Sequence, residues 1–81
     1  MYDYSKVPAY MHKGIKRYVE QRIKPGAFIM AVLENNFIEA VGFADDDNIK
    51  CLKQWAELLY NELPSACWGS PGKVKAWLKN K

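Results

Sequence analysis

Apolar residues recur along this chain at helical spacing, in short runs separated by Pro, Gly, Asn and Asp. A first helix is predicted from Pro8 to Arg22. Met11, Ile15, Tyr18, Val19 and Ile23 fall at i, i+4, i+7, i+8 and i+12, which makes one apolar stripe. Lys13, Lys16, Arg17 and Glu20 take the opposite face, and Gly14 at the stripe's edge leaves room for a close neighbour. Pro25-Gly26 ends the segment, because proline disfavours helical geometry in the residue before it. The second segment, Ala27 to Glu34, is apolar on every side until its last residue. A helix of that kind belongs at the centre of the core or at a subunit contact.

The third segment, Phe37 to Ala44, opens with a capping-box pattern, Asn36 followed three residues later by Glu39. Its predicted stripe is Phe37, Ala40, Val41 and Ala44. A rival reading makes Phe28–Leu33 and Phe37–Phe43 two strands joined at Glu34-Asn35-Asn36. The second run does not alternate apolar and polar residues, and both are rich in helix formers, so helices are preferred. Asp45-Asp46-Asp47 places acid at the positive end of a fourth helix, Asp47 to Leu63. Its stripe is Ile49, Leu52, Ala56, Leu59 and Leu63, widened by Cys51, Trp55, Leu58 and Tyr60, as suits a central helix. Pro64 stops it. Ser70-Pro71, a serine cap before proline at the first helical position, starts a last helix with Val74, Trp77 and Leu78 inward. The pattern predicts an all-α fold, a compact bundle of about five short helices. It forms a single domain, with residues 1–7 as a flexible N-terminal arm.

Length agrees with this: 81 residues allow one domain. Hydrophobic residues at 49% and charged residues at 26% exclude a disordered chain. The longest apolar run, Ala27 to Leu33, is far short of the ~20 residues that span a bilayer. The N-terminus lacks the basic-then-apolar order of a secretory signal. Cys51 and Cys67 are too few for a disulfide-stapled mini-protein and are expected as reduced thiols. These features predict a cytoplasmic protein without a membrane partner.

The net charge of +3 hides a division. Residues 1–24 hold six basic and two acidic side chains, residues 25–63 two basic and seven acidic, and residues 64–81 four lysines and no acid. Folding can neutralise the middle with the ends, or bring the two ends into one cationic face. In the second case Lys13, Lys16, Arg17 and Lys24 with Lys73 and Lys75 are the candidate contacts for an anion or nucleic acid.

Little here can do covalent chemistry. The one histidine, His12, has no motif setting Cys51 or Cys67 beside it. Three Cys and His residues in total fall short of the usual four ligands of a structural zinc site. Counted from Asp45, a calcium loop of the EF-hand type would need Gly and Glu where Lys50 and Ala56 stand. No phosphate-binding glycine loop occurs, and Gly69-Ser70-Pro71-Gly72-Lys73 is explained by its cap. No cofactor is expected, and the chain is not expected to be an enzyme. The rings are the unusual feature. Tyr10, Tyr60, Trp68 and Trp77 are the candidate protein interface, to another protein or to a second copy, since Tyr and Trp are enriched at interaction hot spots.

Several short pieces recur in order: Tyr18-Val19-Glu20, Pro25-Gly26-x-Phe28, Ala31-Val32-Leu33-x-Asn35, Ala44-Asp45-x-x-Asn48, Leu59-Tyr60-Asn61-x-x-Pro64 and Cys67-Trp68-Gly69-Ser70-Pro71. Together, over about residues 11–78, the chain resembles a group of small uncharacterised proteins encoded by bacteriophages and prophages. Members often carry Asp where Asn36 stands here, which preserves the cap. The resemblance implies a phage accessory protein in a bacterial host cytoplasm. It would dock on a host or phage protein to modulate host defence or replication. It carries over no catalytic residue.

Overall fold

A computed structural model describes residues 2–80, and among them there are six α-helices and no strand. They are α1 (His12–Gln21), α2 (Ala27–Leu33), α3 (Phe37–Phe43), α4 (Asp46–Lys50), α5 (Leu52–Asn61) and α6 (Pro71–Lys79). Short 3₁₀ turns at Ala9–Met11 and Ser65–Cys67 precede α1 and α6. The fold is all-α, as the periodicity predicts.

Local chemistry sets most helix ends. The Asn36 side chain accepts from the Glu39 N–H, Asp45 from the Asn48 N–H, and Ser70 from the Lys73 N–H. Each satisfies one of the orphan donors at a helix start. The reciprocal half of the capping box is not made, because the Asn36 N–H already donates to the Ala31 carbonyl. α1 and α2 both end on a left-handed residue followed by a bond that reaches back, six positions in α1 and five in α2. Arg22 (φ 58°) and Asn35 (φ 61°) are those residues, and Ile23 N–H donates to Arg17 O and Asn36 N–H to Ala31 O. Removing the Ser70 cap with Ser70→Ala is expected to lower unfolding free energy by about 1 kcal/mol, read by urea titration. Ser70→Thr should stay near wild type.

The core is built on α2. Phe28, Ile29, Ala31 and Leu33 are buried, against Ile15, Tyr18 and Val19 of α1, Trp55, Leu58 and Leu59 of α5, and Val74 of α6. Gly14 meets α2 closely: a Cβ there would stand 3.3 Å from Ile29 Cδ1. Tyr18 ties three parts together. Its hydroxyl donates to Cys67 O at 2.7 Å, and its own carbonyl accepts from Trp77 Nε1 at 3.1 Å. Gly69, at φ 123°, donates its N–H to Leu33 O at 2.7 Å, which satisfies a free carbonyl at the end of α2.

Three expectations meet a different outcome. The fourth segment is two helices, broken at Cys51, whose N–H donates to Asn48 O in a tight turn. Asn and Cys are both weak helix formers, and a buried bond from Trp55 Nε1 to Asn48 Oδ1 (2.9 Å) spans the break. Ile23 leaves its stripe and is exposed, because the chain turns at Arg22. Within the segment expected as an arm, Tyr4 and Val7 pack into the core. The Tyr4 hydroxyl donates to Glu20 and a His12 ring nitrogen bonds the Val7 carbonyl. Met1 lies outside the described residues.

Candidate functional site

The third helix determines the site. Every position of α3 except Glu39 and Gly42 is apolar, yet only Ala40 is buried. Ala40 is small, so α3 lies close on α2 through it. The large side chains then have no room on the packed side. Phe37 is 67% exposed, Ile38 76% and Phe43 55%, and Val41 is exposed as well. The predicted inward stripe is thus corrected: Phe37 and Val41 face outward, and Ala40 and Ala44 do the packing.

Beside α3 runs an open groove of about 560 Å³. Phe37 and Ala40 form one wall, Leu52, Ala56, Leu59 and Tyr60 of α5 the other, and Trp68 lines it too. Among the described residues Lys53 is the one charged side chain lining it. Glu39 and Phe43 lie on the opposite flank of α3, where with Lys24, Met30 and Glu34 they line a second recess of about 340 Å³. An apolar face of this extent on a small domain is a candidate interaction surface.

The four expected interface rings divide. Tyr60, 80% exposed, and the half-buried Trp68 both line the groove. Tyr10 is exposed elsewhere, with its hydroxyl donating to Asp45. That bond pushes the Tyr10 phenol up to about 12 and holds the Asp45 carboxyl below its ordinary value. Trp77 is structural: Arg22 stacks on it at 3.8 Å while its N–H serves Tyr18. Phe37, Ile38 and Phe43 were not among the expected site residues. The available signal was a helix apolar nearly all round, too many faces for one core contact.

The expected cations Lys13, Lys16, Arg17, Lys24, Lys73 and Lys75 are all exposed. Trp77 donates to the Tyr18 carbonyl and Arg22 donates to the Asn80 carbonyl, so the end of α1 touches α6 through residues that are none of these six cations. Lys24 stands apart from that seam, in the recess with Glu34 and Glu39. Lys73 is occupied locally, donating to Ser65 O at 3.3 Å. The Lys16 ammonium lies 6.0 Å from the centre of the Tyr4 ring.

Burial pushes the Cys67 thiol up to about 11, the reverse of what a nucleophile needs. Among the described residues no three His, Cys, Asp or Glu side chains cluster as metal ligands would. Among them, too, no helix is long and apolar enough to cross a membrane. Compared with known protein families, with curated proteins and with solved structures, the chain matches none.

Proposed function

We propose that this chain is a non-enzymatic binding protein that takes a protein segment into the groove between α3 and α5. The observation that carries the reading is the outward face of α3. Three large apolar side chains of α3 are more than half exposed, and one of them, Phe37, forms a wall of an apolar groove that Lys53 also lines. Exposing that surface to water is unfavourable by ~25 cal/mol for each Å², and covering it recovers that free energy. The resemblance supplies the setting: a phage accessory protein in the bacterial cytoplasm, docked on a host or phage protein to modulate defence or replication.

Site-specific photo-crosslinkers test this. Placed at Phe37 and Tyr60 in bacterial cells, they are expected to give discrete protein adducts that Phe37→Glu or Tyr60→Glu at the neighbouring site abolishes. A crosslinker at Lys13 is expected to give none. Adducts from Lys13 alone would overturn the reading.

A second reading follows from the meeting of α1 and α6. Lys13, Lys16, Arg17 and Lys75 would then contact nucleic-acid phosphates or a nucleotide. Binding of that kind weakens steeply with salt. Flat anisotropy titrations against DNA, RNA and cyclic nucleotides at low salt would remove it.

A further inference from the structure

We infer that in the isolated protein the groove is closed by a second copy of this chain, in a two-fold pair centred on Ile38. The inference rests on reading the groove as a protein-docking surface and names its occupant. The surface is self-complementary across α3. On one flank lies the groove, with Lys53 on its wall. On the other flank lie an exposed ring, Phe43, and the only charge of α3, Glu39. Between the flanks stands Ile38, the most exposed apolar residue of α3.

A two-fold axis running along α3 through Ile38 turns each copy's flank onto the opposite flank of the other. Phe43 of each copy then enters the other's groove, and Glu39 meets Lys53 of the second copy. Ring fills groove and acid meets cation, each twice, which is the isologous arrangement of a closed dimer. Size agrees. The exposed parts of Phe37, Phe43 and Tyr60 alone amount to roughly 400 Å². That is half of the ~800 Å² per partner of a standard interface, before Ile38, Val41 and the groove walls are added. A foreign helix enters the groove by displacing the second copy.

Sedimentation equilibrium of the purified chain tests this, with circular dichroism as the check on folding. The expected result is a monomer–dimer equilibrium with no larger species. Glu39→Lys alone and Lys53→Glu alone should each weaken the dimer about tenfold, and the double swap should restore it. Phe43→Glu should weaken it at least about thirtyfold. All three positions are exposed, so helicity should not change. A chain that stays monomeric, association that never saturates, or a double swap without rescue would each overturn the inference. A monomer that still gives foreign adducts at Phe37 overturns the second copy and leaves the docking surface standing. A monomer without adducts removes both.

Discussion

Replacing Trp55 with alanine is expected to unfold much of the population at 37 °C. Trp55 is 1% exposed and packs edge-on to Phe28 at 5.4 Å between ring centres. Truncating a buried tryptophan costs about 3–5 kcal/mol through lost transfer energy and the cavity left behind. A second penalty follows, because Asn48 is 2% exposed and its Oδ1 accepts the indole N–H. Without that donor a buried polar atom is left unpaired, for a further ~1–3 kcal/mol. The whole stability of a domain this size is about 5–10 kcal/mol. The expected reading in urea is a midpoint shift toward zero with an unchanged slope. Trp55→Phe separates the two effects. It keeps most of the packing and loses the donor, so it should fall well short of the alanine variant. Trp55→Ala within 1 kcal/mol of wild type would show that the ring is not the keystone of this core.

The second large effect is alkaline unfolding. Tyr18 is fully buried and Tyr4 nearly so, and burial holds both phenols well above the ordinary tyrosine value. For Tyr4 the hydrogen bond to the Glu20 carboxylate adds to the same direction. The Cys67 thiol, also buried, is raised to about 11. Each folded-state value lies above its unfolded one, so between the two the unfolded chain has lost protons that the native state keeps. Stability from these groups is complete below their unfolded values and declines as pH rises through the window up to the folded ones. Each contributes up to about 1.4 kcal/mol per pH unit inside its window. Cys67 begins near its ordinary value of 9.0 and the tyrosines near 10.0. By about pH 11 the combined loss is on the order of 5 kcal/mol, comparable to the whole stability. Thermal melts from neutral pH upward should therefore show a steep fall in Tm beginning above about pH 9. Tyr18→Phe should be less stable at neutral pH by about 1 kcal/mol, having lost the bond to Cys67 O. It should also decline less steeply above pH 10. Parallel wild-type and variant curves would show that Tyr18 does not titrate with unfolding.

Much of the local structure was legible in the residues. Asn36, Asp45 and Ser70 start helices because a cap bonds a donor only three positions away. Gly14 marked a close approach, and Ile29 is what approaches. Within the site, Tyr60 and Trp68 were expected at an interface and do line the groove. Trp77 was expected there as well and is a core strut, because its N–H finds the Tyr18 carbonyl 59 residues away. The break at Cys51 and the packing of Tyr4 and Val7 left no periodic trace. The first is one residue inside a continuous apolar stripe, and the second is a stretch too short to show a period.

The all-α class and the capped helix starts at Asn36, Asp45 and Ser70 follow from interactions within a few residues, and the order of residues along the chain carries that information. Which face of α3 meets the core does not follow from it. A helix apolar on nearly every side has no phase to read, so its orientation depends on what α2 offers, and α2 admits Ala40. The packing of α3 on α2 made that choice and, with it, left Phe37 beside the groove and Ile38 and Phe43 exposed on the rest of the helix.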